Sequence, residues 1–330
     1  MARIKSTASI PAYQTSGFFK NNKTNINERF KGKMRKVFQC RYLYMLMLPA
    51  IVWYIIYRYI PMTGTMIAFK TYSFSKGILG SPWVGLKNFQ FLFGYPDFYT
   101  IIRNTLVINL YNLLFGFPAP IILALLLNEI INMKFKKTVQ TIVYFPHFLS
   151  WVIFGGLIIQ FLSPNEGFIN KIIESFGGNA IYFLTKPQYF RIIVVATNII
   201  KETGWGAIVY LAALSGIDPA LYEAAVIDGA SRLQKLLYVT LPGISNTIII
   251  MLILRIGYLL DVSFEQIYVL YNPAVYSVGD VLSTFIYRIG IQDMQFSLTT
   301  AVGLFQSVIG FLLIYGTNII ARRYSDVSMW

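Results

Sequence analysis

Cysteine and histidine are almost missing, with one of each in 330 residues. The lone thiol, Cys40, excludes an internal disulfide, and with neither Cys-x-x-Cys nor His-Glu-x-x-His spacing no metal site is expected. Charge is scarce as well: 13% of residues carry it, against about 25% in a soluble domain. Acid is scarcer than base, 14 Asp and Glu against 28 Lys and Arg. The acids do not cluster, which leaves no paired carboxylates for acid–base chemistry. The chain also lacks the Gly-x-x-x-x-Gly-Lys-Ser/Thr loop that cradles nucleotide phosphates. No catalytic residue and no bound cofactor are therefore expected on it.

What is present is apolar: 56% hydrophobic and 16% aromatic residues, with a mean hydropathy of +0.57. Six runs approach the roughly 20 apolar residues needed to cross a bilayer. They lie at about Tyr42–Pro61, Arg103–Leu127 with a bend at Pro118 and Pro120, Thr138–Leu162, Tyr189–Leu214, Gly243–Val262 and Leu298–Ile320. The pattern predicts an all-α integral membrane protein of about six transmembrane helices.

A net charge of +14 invites nucleic acid as a partner, but its placement points to lipid. Ten basic residues, from Arg3 to Arg41, lie at or before the edge of the first apolar run. Residues 1–40 thus read as a basic tail drawn to anionic headgroups, and no nucleic acid is expected. The tail's Ser, Thr, Asn and Lys content predicts disorder to about Glu28. A basic amphipathic helix with Phe30, Met34, Val37 and Phe38 on the interface follows. The first run starts too far in for a cleavable signal peptide, and residues 41–330 read as the transmembrane domain. Further basic residues gather at Lys134, Lys136 and Lys137, at Arg232 and Lys235, and at Arg322 and Arg323. Positive segments stay inside, so both termini and the segment between the fourth and fifth runs are expected to face the cytoplasm.

That segment, Ile217 to Pro242, is the longest polar interruption between two apolar runs whose second half still looks helical. Asp218-Pro219 starts a helix, the Asp capping free N–H groups and Pro suiting the first helical position. Leu221, Ala224, Ala225 and Ile227 share a face, Gly229 ends or bends the helix, and Leu233, Leu236 and Leu237 begin a second turn that Pro242 stops. Glu223-Ala224-Ala225, Asp228-Gly229-Ala230 and Leu241-Pro242 together resemble the EAA loop of ABC-importer permeases. The resemblance implies a type I ABC-importer permease fold, with this loop, about residues 217–242, as the coupling helix that docks into a groove on a cytoplasmic ATPase subunit.

The loop after the first run holds Ser81-Pro82-Trp83-Val84-Gly85-Leu86-Lys87-Asn88-Phe89 and then Arg103-Asn104-Thr105-Leu106. An interfacial aromatic belt accounts for Trp83 and Phe89 but not for the whole string. The string is similar to signatures of carbohydrate-importer permeases of the MalF type. Adding Tyr144–Trp151 and the ending from Arg322-Arg323 to Trp330, the chain from about Cys40 onward resembles the LplB-type branch, which is associated with oligosaccharides from polysaccharide breakdown. The resemblance implies a bacterial plasma (inner) membrane protein that partners a second homologous permease, two ATP-binding cassette subunits carrying ATP and Mg, and a solute-binding protein delivering an oligosaccharide.

Charges within the apolar runs mark candidate pathway residues. Glu202 and Arg255 lie about 21 and 20 Å from the same membrane face at 1.5 Å per residue. They are expected to face a translocation cavity, as an ion pair or as sugar ligands, with Asn198, Lys201, Trp205, Tyr258 and Asp261 supplying hydrogen bonds and a stacking face. A purely structural pair between the fourth and fifth runs is the alternative. Lys201 and Arg255 hint at acidic sugars such as uronates, although Lys201 has Glu202 next door. His147, without a carboxylate nearby in sequence, reads as a packing and hydrogen-bonding residue rather than a proton relay. Asn104, Asn109 and Asn112 read as interhelical hydrogen bonders. The loop Ser263–Ser297, with Tyr268, Tyr271, Tyr276 and Asp280, is a weaker candidate for docking an external binding protein. Two other functions compete. An ion-coupled secondary transporter wants broken helices in corresponding halves and a buried carboxylate set, and a membrane enzyme wants acids or histidines clustered at one face. Neither explains the EAA string.

Overall fold

The structure, a computed structural model, describes residues 41–324. The expected basic tail before that stretch, and the end of the chain beyond it, lie outside the described residues. The chain divides into two units between Thr63 and Gly64.

In the first unit the helix α1 (Arg41–Phe69 including its continuation past the division) is apolar all round, and none of its residues to Met62 is buried. A helix without a polar face is suited to lipid. In the second unit α2 (Lys87–Phe93) precedes four more helices long and apolar enough to span: α3 (Phe98–Asn128), α7 (Pro187–Ser215), α9 (Arg232–Gly257) and α13 (Phe296–Tyr324). Short helices fill the connections: α6 (Phe168–Ser175), α8 (Pro219–Ile227), α10 (Phe264–Leu270), α11 (Tyr276–Gly279) and α12 (Leu282–Tyr287). Among the described residues the only β contact is an isolated antiparallel bridge between Lys70 and Trp83.

The third apolar run departs from expectation. It is two helices, α4 (Met133–Phe148) and α5 (Trp151–Phe161), bent by 102°. Asn132 caps the start of α4, its side chain accepting from Lys134 N–H at 3.0 Å and Phe135 N–H at 3.1 Å. Pro146 weakens the last turn, Leu149 and Ser150 are extended, and the Ser150 hydroxyl starts α5 by accepting from Ile153 N–H at 3.3 Å.

Prolines elsewhere are absorbed rather than obeyed as stops. Pro242 was expected to end a short helix, yet α9 runs through it. The widened π turns at Ile55–Tyr59, Asn112–Gly116 and Leu236–Thr240 each begin six residues before a proline: Pro61, Pro118 and Pro242. In the second, Phe117 N–H bonds the Asn112 carbonyl at 3.0 Å, five residues back. Opening the turn moves the carbonyl that the proline ring would strike.

The fifth span starts earlier than expected, at Arg232, and also ends earlier. It ends at Gly257, and side chains satisfy the carbonyls of the turn beyond it, as water-poor surroundings demand. Asn109 Nδ2 donates to Leu259 O at 2.8 Å and to Asp261 O at 3.3 Å, and Gln306 Nε2 donates to Leu260 O at 2.8 Å. The loop string around Trp83 is folded, not merely interfacial: Asn88 Nδ2 donates to Ala68 O at 2.8 Å and Lys70 O at 3.0 Å, and Trp83 stacks on Phe69 at 5.6 Å.

Candidate functional site

Within the second unit, α3, α7 and α9 enclose a cavity of about 490 Å³. Asn198, Glu202 and Trp205 enter it from α7. Their spacing of four and then three residues puts them on one stripe of the helix. Arg255 enters from α9, and Tyr258 and Asp261 from the turn after it. Six of the seven residues singled out in the sequence thus share one wall.

Lys201 does not. It is 4% exposed, and its Nζ donates to the carbonyls of Pro146 at 3.1 Å, His147 at 2.9 Å and Leu149. The ammonium also lies 5.3 Å from the Trp151 ring centroid. It caps the C-terminal carbonyls of α4, where a cation opposes the negative end of the helix dipole. One residue along, at about 100° around the helix, Glu202 points into the cavity instead.

Glu202 also finds a different partner from the one expected. No ion pair joins it to Arg255; its Oε2 accepts from His147 Nδ1 at 2.9 Å. The break in the third span brings His147 alongside α7, a proximity that sequence distance conceals. The imidazole lies flat on the Trp205 indole, centroids 4.6 Å apart and planes 2° from parallel. Arg255 is left half-buried at the cavity, within the field of Glu202 but with no hydrogen-bond or ion-pair contact to any neighbour among the described residues. Asn112 Oδ1 and Thr203 Oγ1 are likewise buried at the wall without partners. The guanidinium of Arg255, beside the exposed rings of Trp205 and Tyr258, gives the wall a group that can bind a carboxylate and faces that can stack a sugar ring.

The second region is the hairpin between α7 and α9. Asp218 caps α8, accepting from Ala220 N–H at 2.9 Å. Gly229, at φ +76°, closes it: Ala230 N–H bonds Ala225 O at 2.9 Å and Gly229 N–H bonds Val226 O at 3.0 Å, the paired bonds of a Schellman end. Ser231 and Gln234 form a reciprocal capping box that starts α9. The Tyr222 hydroxyl meets the Thr240 hydroxyl at 3.0 Å, tying the two arms together. Glu223, Ala224 and Asp228 are exposed, Ala225 and Ala230 line a shallow groove with Gly229, and Leu241 and Pro242 sit at the root of the hairpin. Ile227 is 86% and Tyr238 77% exposed, an unusual outlay of apolar surface for a polar loop.

In the loop before α13, Asp280 is not available for docking. It is buried and held by Arg288 at 2.6 and 3.2 Å and by the Thr284 hydroxyl at 2.7 Å. The hydrogen bond to Asp280 holds the Arg288 guanidinium above its ordinary range, and burial pushes the Tyr271 phenol up to about 12.

Residues 116–326 match the family described as binding-protein-dependent transport system inner membrane component. The chain belongs to that family. Protein LplB of Bacillus subtilis (strain 168) is 45% identical over 290 residues, 88% of this chain and 91% of that protein. The polygalacturonan/rhamnogalacturonan transport system permease protein YteP of the same organism is 43% identical over 303 residues, 92% of this chain and 94% of that protein. Among solved structures, a bacterial alginate ABC transporter in complex with an alginate pentasaccharide-bound periplasmic protein contains a chain that superposes with a TM-score of 0.82 at 42% identity, covering 89% of this chain and 99% of that one. This permease is therefore a multi-pass membrane subunit of an ABC importer of the carbohydrate class, not an enzyme and not a secondary transporter. The fold implied by the EAA resemblance is the fold found.

The sequence reading missed the contact between His147 and Glu202 and the place of Thr203 in the cavity lining, and it took Asn112, which also lines the cavity, for an interhelical hydrogen bonder. His147 was set aside because its carboxylate is 55 residues away.

Proposed function

We propose that this permease moves oligosaccharides from an acidic polysaccharide through the cavity walled by Asn198, Glu202, Trp205, Arg255, Tyr258 and Asp261. The observation carrying this reading is the unpaired guanidinium of Arg255 beside two half-exposed rings in one cavity. Two relatives named for polygalacturonan/rhamnogalacturonan and for alginate support it. Glu202 and Asp261 keep the wall from being a general anion trap. Arg255 is the group assigned to a sugar carboxylate, and the carboxylates are assigned to sugar hydroxyls.

The permease works beside a second homologous permease and two ATP-binding cassette subunits that bind ATP and Mg. A solute-binding protein loads it from outside. The hairpin with Glu223, Ala224, Ala225, Asp228, Gly229, Ala230, Leu241 and Pro242 faces the cytoplasm, as do both termini, and its exposed apolar surface is the contact for the ATPase. Closure of the ATPase dimer moves the hairpin as a rigid lever, and the permease pair alternates between inward-open and outward-open states. Loaded binding protein outside promotes closure inside, because coupling is reciprocal.

Uptake into proteoliposomes containing the complete importer tests this. Oligogalacturonate and oligoalginate are expected to be carried, and a neutral maltooligosaccharide is not. Arg255→Met is expected to raise the apparent KM for the acidic sugars about tenfold or more, the loss of a charge-assisted hydrogen bond. Preference for the neutral sugar, or wild-type uptake by a normally assembled Arg255→Met importer, refutes the assignment.

A further inference from the structure

Two side chains of the cavity wall are set from behind by a third that does not line it. Glu202 and Trp205 face the cavity, with 40% of the Glu202 side chain and 46% of Trp205 exposed. Both touch His147, which is not a lining residue. Its Nδ1 is 2.9 Å from Glu202 Oε2, and its ring is stacked on the indole of Trp205 at 4.6 Å. A carboxylate only accepts, so the Nδ1 carries the hydrogen. Phe148 closes the stack edge-on, 5.7 Å from the imidazole and 5.8 Å from the indole.

The imidazole is itself fixed. Lys201 holds the backbone carbonyl of His147 at 2.9 Å and those of Pro146 and Leu149 beside it. A turn further on, Gly204 lets α7 touch α4 backbone to backbone, for a Cβ there would strike the Val143 carbonyl. Residues 201, 202, 204 and 205 of α7 therefore grip the end of α4 in succession.

We propose that His147 is a positioning residue for substrate recognition. It holds the Glu202 carboxylate in one rotamer and the Trp205 ring in one plane, so that the wall meets the sugar already ordered. Glu has three rotatable bonds, and ordering such a chain at the moment of binding is a cost that prior fixation removes. The inference rests on the cavity reading above and adds to it a residue that never touches the substrate.

The test is a double-mutant cycle in the complete reconstituted importer, with oligogalacturonate of defined length as the probe and apparent KM and Vmax measured separately. His147→Phe keeps a stacking ring and loses the hydrogen bond. It is expected to raise KM about tenfold with little change in Vmax, the scale of a bond to a charged group. His147→Asn, whose amide N–H stands near the place of Nδ1, is expected to recover most of that loss. Because His147 acts through Glu202, His147→Phe is expected to add nothing in a Glu202→Gln background. Additive effects, or a wild-type KM for His147→Phe where Glu202→Gln raises it, overturn the proposal. Should His147→Phe fail to assemble, the same cycle with His147→Ala decides by the same non-additivity. If Glu202→Gln and Arg255→Met both leave KM unchanged, the cavity reading itself has failed and this inference falls with it. If Arg255→Met alone raises KM, only the inference is lost.

Discussion

Lys201→Met measures what holds the elbow of the third span. The ammonium donates to three backbone carbonyls, at 3.1 Å, 2.9 Å and, to Leu149, at hydrogen-bond contact. Hydrogen bonds to a charged group contribute roughly 1.5–3 kcal/mol each. Against this stands the cost of keeping an ammonium at membrane depth, about 2.5–3.5 kcal/mol for a lysine at a helix centre. Methionine fills similar volume, retains contact with Trp151 and relieves the second term while losing all of the first. The carbonyls it strands face the position of Lys201, which is itself 4% exposed, so water does not replace the donor. The net loss is about 2–6 kcal/mol, which corresponds to roughly 4–12 °C in the thermal midpoint of a chain of this size. The assay is the midpoint of the detergent-purified complex followed by size-exclusion chromatography after heating. Lys201→Arg, which keeps several donors, is expected to fall between. A Lys201→Met complex as heat-stable as the wild type would refute the reasoning, and would return Lys201 to the list of groups available to substrate.

Three further outcomes follow from the hairpin and the loop before α13. Gly229→Ala, forced to φ +76°, is expected to cost about 1 kcal/mol with transport retained, whereas Glu223→Lys on the exposed face of α8 is expected to uncouple ATP hydrolysis from uptake while membrane insertion stays normal; full transport by Glu223→Lys counts against the lever. Asp280→Asn strips a buried carboxylate from Arg288, whose side chain keeps 27% exposure, and is expected to lower stability by about 3 kcal/mol, the low end for breaking a buried pair, as read from the same heated chromatography.

Much of the fold was legible because lipid imposes length and composition directly. Five of the six apolar runs became single helices: three lie within about five residues of the expected bounds, the first runs on to Phe69, and the fifth is shifted to Arg232–Gly257. The hairpin was the most readable part: Asp218, Gly229 and Ser231 act through local backbone geometry that needs no partner. What failed were inferences from proline. Pro242 stops nothing because the preceding π turn absorbs it, while Pro146, without such a turn, precedes the 102° break. A single sequence does not say which proline has the wider turn before it.

The cavity shows where legibility ends and why. The residues Thr197, Lys201 and Gly204 are buried in α7, while Asn198, Glu202 and Trp205 line the cavity. Each set is spaced by four and three, and the sets differ by a single position. Helical periodicity alone therefore separated the capping lysine from the cavity glutamate, and weighing each charge by type and depth, as if adjacent charges shared a fate, discarded that information. What periodicity does not supply is which stripe faces which neighbour. Glu202 and Arg255 sit at matched depth on spans joined by one loop, and opposite charges so placed lower each other's cost only if no nearer partner exists. A nearer partner exists because the third span breaks and delivers His147 to α7. The physical content of the break is thus a redirected contact: the elbow gives Glu202 an imidazole to bond, so that Glu202 acts on Arg255 only through its field, and the Arg255 guanidinium keeps its hydrogen-bond donors for an incoming carboxylate.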